Sequence, residues 1–430
     1  MKLPEQWEKV TKFSRGKDFA RELDRSDPLA DYRQNFTIPK SSEGNEVIYF
    51  LGNSLGLQPS GAIEAVMEEM ETWRTDAIGG HFKKQRPWSL YETNLIDKSA
   101  ALVGALPSEV TVMNSLTVNL HLLMISFYRP TRDRNKVLME EKAFPSDQYA
   151  VASQLQYHGV DPSDGIVKAK SRNGENFIQN EEIIDLLEAE GDSIALILMG
   201  GVNYYSGQFF DMEKITAVGH AKGCVVGFDL AHAAGNVELM LHDWNVDFAA
   251  WCNYKYLNGG PGSIASIFVH ERNGNRPDLP RFAGWWGHNR GTRFEMPAQF
   301  DPLPGAEGWQ ISNPHVLSAA SLLPSLDLFD RVGMATLRQK SFQMTGYLEF
   351  LLDELESDAF TIITPRDRER RGGQLSLKFD LDAEEICNKL AENGVICDYR
   401  KPGVIRVAPA PFYNSFLDIY TFVEILKRLL

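Results

Sequence analysis

The sequence predicts an α/β protein in which a mostly parallel, buried sheet is followed by a smaller α+β domain. Residues 194–199 and 224–228 are short, almost uninterrupted apolar runs, as expected for parallel strands covered on both faces. Apolar runs and amphipathic segments alternate along the chain, which is typical of βαβ units. The 430 residues are long enough to bury the cores of two domains.

The elements that this interpretation requires follow in order along the chain. Residues 1–45 are polar and are expected to hold one short helix near 18–24 and to pack near the small domain. The large domain is assigned to 46–315 and the small domain to 316–430. The predicted strands are 48–51, 109–114, 136–139, 194–199, 224–228, 246–251, 263–269, 360–364, 374–379, 395–398 and 404–407. The predicted helices are 61–78 (with Ile63, Val66, Met67 and Met70 on one face), 118–128, 148–157, 317–329, 334–355, 383–393 and 417–430.

Composition and charge exclude several classes of protein. Apolar residues make up 43% of the chain and charged residues 24%, as in ordinary globular proteins. The formal charge of −14 argues against a nucleic-acid or anionic-membrane surface, because both need a basic face. No apolar run approaches the length of a membrane span, and no signal segment is visible. The four cysteines lack metal-binding spacing, which predicts free thiols in the cytoplasm and no metal.

Asp229 and Lys255 follow two apolar runs that are expected to be parallel strands. Both side chains would then face the crevice at the carboxyl edge of the sheet, where α/β proteins bind ligands. Pyridoxal phosphate needs this combination, because a lysine amine forms a Schiff base with its aldehyde and a carboxylate keeps its ring nitrogen protonated. The alternative is that Asp229 caps a loop and Lys255 is a solvated surface charge. The aromatic and glycine-rich surroundings of Lys255, and His232 close to Asp229, favour the cofactor.

Several longer motifs make the sequence resemble one enzyme family. They are LGNSLG at 51–56, RPW at 86–88, FPSD at 144–147, FDLAHAAGN at 228–236, YKYLNGGPG at 254–262, GWWGH at 284–288, ISNP at 311–314 and RVAPAPFYNSF at 406–416. Over nearly its whole length the chain resembles the kynureninases, which are pyridoxal-phosphate hydrolases of fold type I. The resemblance implies a large domain with a mostly parallel seven-stranded sheet flanked by helices, and a smaller C-terminal α+β domain.

The resemblance also implies a role for individual residues at the cofactor. Lys255 carries the cofactor, Asp229 holds the ring nitrogen, Phe144 stacks on the ring, and Tyr254 is expected at the phosphate. Further cofactor contacts are implied for Leu116, Thr117, Asp147, Gly200, His232, Trp285 and Asn313. The family commonly has a small hydroxyl residue where Gly200 stands, and it brings Trp285 and Asn313 from the neighbouring subunit of a homodimer. From the residues alone, an ordinary helix cap is the favoured interpretation of Ser115–Thr117, and Ser146 or Asp147 can cap helix 148–157.

The substrate implied by the resemblance is kynurenine or 3-hydroxykynurenine, cleaved to anthranilate or 3-hydroxyanthranilate and L-alanine in tryptophan catabolism and NAD biosynthesis. Tyr254 would donate a proton, and Arg406 would grip the substrate carboxylate rather than lie on the surface. His81, Ser312 and Asn313 would line the end that holds the aromatic ring. Because these three side chains offer partners to a ring hydroxyl, the sequence predicts a preference for 3-hydroxykynurenine.

Two other functions are compatible with parts of the sequence. A cysteine desulfurase of the same fold would need a mobile cysteine nucleophile, whereas the cysteines here fall in predicted strands or in the small domain. A scaffold protein that has lost activity is disfavoured by the intact pair of Asp229 and Lys255. The absorption of a lysine-bound cofactor would separate an enzyme from a scaffold.

Overall fold

The computed structural model describes residues 12–276, 278–380 and 382–430. Its helices are α1 (Lys17–Ser26), α2 (Gly61–Asp76), α3 (Thr93–Leu102), α4 (Leu116–Phe127), α5 (Pro145–Tyr157), α6 (Pro162–Gly165), α7 (Asn180–Glu190), α8 (Met212–Ala221), α9 (Glu271–Gly274), α10 (Val316–Val332), α11 (Met334–Asp353), α12 (Ala383–Glu392) and α13 (Phe416–Leu429). Its strands are β1 (Phe36–Thr37), β2 (Ile48–Tyr49), β3 (Gln58–Pro59), β4 (Val110–Val112), β5 (Lys136–Glu140), β6 (Ile166–Ala169), β7 (Ile194–Gly200), β8 (Val225–Asp229), β9 (Phe248–Trp251), β10 (Ser266–Val269), β11 (Phe360–Ile362), β12 (Leu375–Phe379), β13 (Val395–Ile396), β14 (Asp398–Arg400) and β15 (Val404–Val407).

The large sheet has the predicted mostly parallel architecture. Its seven strands run in the order β4-β10-β9-β8-β7-β5-β6, and only β10 is antiparallel to its neighbours. Alternate side chains of each strand enter different cores: Leu138 joins one apolar cluster, whereas Val137 and Met139 join another. Both faces are therefore covered, which explains the almost uninterrupted apolar runs in the sequence.

The small domain is built on a four-stranded antiparallel sheet in the order β11-β12-β15-β14. The N-terminal segment joins it, because β2 pairs in parallel with β13. Asp24 of α1 accepts hydrogen bonds from the backbone N–H groups of Phe416 and Leu417, at 2.6 and 3.1 Å, and so caps α13. Among the described residues, none of the helices combines the length and apolar character needed to cross a membrane.

Three local details differ from the sequence prediction. The strand expected at 395–398 is interrupted at Cys397, and its two halves join different sheets. Helix α5 begins at Pro145 with Phe144 as its N-cap residue, so neither Ser146 nor Asp147 is the cap. The apolar face of α2 points outward, whereas Glu69 on its inner side is buried.

Candidate active site

A cavity of about 220 Å³ lies at the carboxyl edge of the large sheet, where β5, β7 and β8 end side by side. Parallel strands collect their C-terminal residues at one edge, so residues distant in sequence meet there. The cavity is lined by Ser115, Leu116, Thr117, Glu140, Phe144, Ser146, Asp147, Gly200, Val202, Tyr204, Asp229, Ala231, His232, Tyr254 and Lys255.

Asp229 and Asp147 form a buried carboxyl pair on one side of the cavity. They share a hydrogen bond, and Asp229 also accepts one from the backbone N–H of Ala231 at 2.7 Å. Burial raises the pKa of Asp229, although the hydrogen bonds and the charge of Lys255 oppose the rise. The pKa of Asp147 is raised well above its usual value by burial and by the neighbouring charge of Asp229. In this pair, one carboxyl group must donate its proton to the other. A protonated ring nitrogen of a bound cofactor would be a donor to which the carboxyl groups could bond instead.

Lys255 reaches the cavity from the loop that follows β9. Its Nζ lies 5.8 Å from the centroid of the Phe144 ring and 5.9 Å from that of the Tyr254 ring. Asn258, with a φ of 53°, turns the loop back. Gly56 approaches so closely that a Cβ there would lie 2.3 Å from the carbonyl oxygen of Lys255, and its N–H donates to the carbonyl of Tyr254 at 2.9 Å. The motif LGNSLG therefore supports the lysine loop.

The part of the cavity wall formed by the start of α4 is suited to a phosphate. Helix α4 points its N-terminus at it, and the N-cap residue Ser115 makes no side-chain capping bond. Unpaired N–H groups and the positive end of the helix dipole attract anions. The hydroxyl groups of Thr117 and Ser146 lie 2.9 Å apart and add two further donors. An ordinary side-chain cap at Ser115, the alternative left open by the sequence, is absent.

The surroundings of His232 and Tyr254 favour the uncharged form of each side chain. Burial, together with the charges of Lys255 and Arg406, lowers the pKa of His232 well below its usual value. Its buried Nδ1 has no hydrogen-bond partner among the described residues. Burial raises the pKa of Tyr254 above its usual value, and nearby Cys252 raises it further. Both side chains can therefore offer hydrogen bonds without adding charge.

Arg406 lies behind the cavity wall and is only 1% exposed. One Nη donates to the carbonyl of Tyr204 at 2.8 Å, and the other forms an ion pair with Asp398. Its buried Nε has no hydrogen-bond partner among the described residues. The interpretation as a surface arginine is therefore wrong.

Besides Arg406, four residues expected at the site do not line the cavity of a single chain. His81 ends a short 3₁₀ helix, and its ring packs edge-on against Trp88 at 5.2 Å. Trp285 is 41% exposed, and its indole N–H donates to the carbonyl of Arg293 at 3.1 Å. Ser312 and Asn313 are exposed.

Sequence reasoning missed several residues of the cavity wall as cofactor or substrate contacts: Ser115, Glu140, Ser146, Val202, Tyr204 and Ala231. Glu140 carried a usable signal, because it ends an apolar strand in the same way as Asp229. Tyr204 carried a weaker one in its position shortly after β7. Its ring packs edge-on against Phe144 at 5.1 Å.

A second polar cluster outside the cavity holds Glu109, His242 and His270. Their possible ligand atoms lie within 4.8 Å of one another. The Glu109 carboxylate accepts hydrogen bonds from the backbone N–H groups of Leu106 and Glu271 and faces the His242 ring nitrogen at 3.0 Å. Because these donors already bind the carboxylate, we interpret the cluster as a structural contact that holds β4, β10 and their neighbouring segments together.

Solved structures with the same architecture define the class of protein. A cysteine desulfurase from Thermococcus onnurineus superposes with a TM-score of 0.76 over 93% of this chain and 97% of that chain, at 17% identity. A C-DES variant with glycine covalently linked to its pyridoxal-phosphate cofactor gives a TM-score of 0.72 over 88% and 96%, also at 17% identity. The fold is therefore that of the fold-type I pyridoxal-phosphate enzymes.

Sequence relatives narrow the class to one family. A kynureninase from Koribacter versatilis is 54% identical over 96% of this chain and 97% of its own length. Kynureninases from Myxococcus xanthus and Monosiga brevicollis are 52% and 48% identical, over 96% and 95% of this chain and 97% and 95% of their own. Residues 337–426 also match the kynureninase C-terminal domain family. The chain belongs to the kynureninase family.

The cavity fits the cofactor of that family. Pyridoxal phosphate carries an aldehyde, a basic ring nitrogen and a phosphate, and the wall offers an amine, a buried carboxyl pair and a free helix N-terminus for them. Cys224, Cys252 and Cys397 are buried and Cys387 is half-buried in the small domain, so the described structure shows none of them at the cavity. This arrangement does not favour a cysteine desulfurase.

Proposed function

We propose that this chain hydrolyses 3-hydroxykynurenine in preference to kynurenine. The bond between Cβ and Cγ is cleaved, and the products are 3-hydroxyanthranilate and L-alanine. The observation that carries the proposal is the meeting of Lys255, Asp229 and Phe144 in one cavity of a kynureninase-family chain. The activity belongs to tryptophan catabolism and NAD biosynthesis, and a cytoplasmic location fits the four free thiols.

Each residue around the cofactor has a defined task in this proposal. When bound, pyridoxal phosphate supplies an aromatic ring that accepts the electron pair released by the substrate. The amine of Lys255 holds the cofactor aldehyde and later takes the proton from the substrate Cα. Asp229 keeps the ring nitrogen protonated with Asp147 beside it, and Phe144 stacks on the ring. The N-terminus of α4 with Thr117 binds the phosphate.

Tyr254 and Arg406 act on the substrate. Tyr254 keeps its proton at neutral pH, and burial raises the pKa of its hydroxyl further. It can therefore donate a hydrogen bond to the phosphate, and a proton to the substrate Cβ when the bond to Cγ breaks. Arg406 binds the substrate carboxylate. The unpartnered Nε supports this role, because it leaves a buried N–H donor available to a carboxylate.

The ring end of the site requires a second subunit in this proposal. His81, Trp285, Ser312 and Asn313 lie away from the cavity of their own chain. Beside the lysine loop the surface holds a groove of about 690 Å³ that runs along α2 and is mostly apolar. Exposed apolar side chains extend it: Ile63, Met67, Met70, Trp73 and Ile78. A surface of this kind is characteristic of subunit contacts, and a homodimer would bury it and bring the partner's residues to the site.

The preference for the hydroxylated substrate follows from the polar groups at the ring end. The Nδ1 atom of His81 is buried and has no hydrogen-bond partner among the described residues. Ser312 and Asn313 are exposed and add further donors and acceptors. A site that binds a hydroxyl penalises the analogue lacking it, because its own polar groups are then left unpaired.

The test compares kcat/KM for the two substrates, with products identified by mass. We expect kcat/KM to be higher for 3-hydroxykynurenine by about tenfold or more. The double variant His81→Ala/Asn313→Ala should shift the ratio toward kynurenine, whereas Asn289→Ala, another exposed asparagine of the same region, should leave it unchanged. A preference of the wild type for kynurenine would refute the argument about the hydroxyl but not the kynureninase activity.

A further inference from the structure

Glu140 is a buried carboxyl group in the wall of the cofactor cavity. It is the last residue of β5 and is only 3% exposed. Its two carboxyl oxygens lie 3.3 and 3.2 Å from the backbone nitrogen of Gly200, which donates to both. The side chain of Asn203 provides a further hydrogen bond. These contacts fix the carboxyl group at the cavity rather than at the surface.

Glu140 and Asp229 end the strands on either side of β7, whose own last residue, Gly200, has no side chain. Strands β5, β7 and β8 are adjacent, and they end at Glu140, Gly200 and Asp229 respectively. Gly200 is paired in register with Asp229. A Cβ at Gly200 would lie only 3.0 Å from Oε1 of Glu140. Because Gly200 has no side chain, the end of β7 leaves room for the carboxyl group of Glu140.

The electrostatic surroundings of Glu140 are unusual for a glutamate. Burial raises the pKa of Glu140 to about 7, and the charge of Asp229 contributes, although the N–H of Gly200 opposes the rise. The charge of Glu140 in turn raises the pKa of Asp147. The other titratable groups that line the same cavity are Asp147 from α5, Tyr204 from the loop after β7, Asp229 from β8, His232 from the turn after it, and Tyr254 and Lys255 from the loop after β9.

We propose that Glu140 is a positioning residue that sets the charge of the Asp147–Asp229 pair and thereby the affinity for the protonated pyridine ring of the cofactor. The proposal rests on the cofactor roles proposed above for Asp229 and Asp147. When Glu140 is ionised, its negative charge adds to that of Asp229 and favours a protonated ring nitrogen. When Glu140 is protonated, only its hydrogen bonds remain. Through its contact with Gly200 and its place in the cavity wall, Glu140 therefore couples its own ionisation to cofactor binding.

The variant Glu140→Gln separates charge from shape. The amide keeps the size of the side chain and an oxygen that accepts from Gly200, but it cannot ionise. Equilibrium dialysis of the loaded protein against graded pyridoxal phosphate gives the cofactor Kd from about pH 6 to pH 9. We expect the variant to bind about threefold to tenfold more weakly than wild type at the alkaline end and equally at the acidic end. The matched control is Glu141→Gln, whose side chain lies outside the cavity and which should follow wild type throughout.

The pH dependence decides between this role and a purely structural one. A ratio of variant to wild-type Kd that is constant across the pH range would overturn the proposal, because a packing defect does not titrate. The variant Glu140→Asp retains a carboxylate and should keep a pH-dependent Kd. If the glutamine variant does not fold, Glu140→Asp is used to decide between the electrostatic and the structural role. Turnover does not enter this measurement, so a wrong substrate assignment leaves the result intact. Failure of the wild type to bind the cofactor would instead refute the proposed function.

Discussion

Replacing Arg406 by leucine tests the assignment of the substrate carboxylate most directly. The guanidinium is held by the carbonyl of Tyr204 at 2.8 Å and by an ion pair with Asp398, while its Nε remains without a partner among the described residues. Leucine removes the charge and every donor. The substrate carboxylate would then enter a buried site without its counter-charge.

The expected loss follows from the kind of interaction that is removed. Truncating one partner of a buried, hydrogen-bonded charge pair costs about 2–4 kcal/mol, so kcat/KM for 3-hydroxykynurenine should fall about 30- to 900-fold. The free energy of unfolding should fall by less than this loss in transition-state binding. Asp398 keeps a second cation, since Arg400 donates to its Oδ2 from Nε at 3.1 Å and from an Nη at 3.0 Å.

The assay is steady-state turnover of 3-hydroxykynurenine, with cofactor content measured by absorption in the same samples. Arg400→Leu is the matched control, because it removes a partly exposed arginine that contacts the same aspartate. It should lose far less kcat/KM than Arg406→Leu at equal cofactor content. An unchanged kcat/KM in Arg406→Leu, or an equal loss in both variants, would refute the assignment.

Three further predictions address Lys255, the assembly of subunits and the contact between Glu109 and His242. Lys255→Ala should abolish borohydride trapping of the cofactor on the protein and nearly all turnover; trapping on another lysine would contradict it. Mixing Lys255→Ala with Asn313→Ala subunits should restore part of the activity, whereas a fully active monomer in sedimentation would exclude shared sites. Glu109 raises the pKa of His242, so the stability that this contact contributes is complete below the unfolded value of 6.5 and is lost as pH rises through the folded value. His242→Gln should therefore lower the free energy of unfolding more at about pH 6 than at about pH 8, and equal losses at both would disprove the coupling.

Helix α2 shows where a local pattern misleads. Its apolar residues follow helical spacing, yet Ile63 and Met67 are more than half exposed. Glu69 is completely buried instead, where its carboxylate accepts hydrogen bonds from Lys84 at 3.2 Å and from the indole of Trp88 at 2.7 Å. Periodicity identifies an apolar face, but it does not reveal whether the same chain or another subunit covers that face.

Glu140 and Asp229 show that local sequence patterns also fail to reveal which acidic residues meet at the site. Each ends an apolar strand, so their local patterns are nearly the same. Asp229 was predicted because Lys255 follows the next apolar run and the two together suit pyridoxal phosphate, whereas Glu140 was missed. Their proximity depends on β7 lying between β5 and β8 and on a glycine at its end.

The amino-acid sequence was enough to predict the fold class, most of the helices and strands, the family and the cofactor chemistry. It could do so because apolar periodicity and contiguous motifs are local properties of the chain. The packing of the folded chain decides which acids share the cavity and exposes the apolar face of α2. It also leaves the Nε of Arg406 without a hydrogen-bond partner among the described residues. The physical reason is that strand order and the packing of loops bring together residues far apart in sequence, and no local pattern encodes those distances.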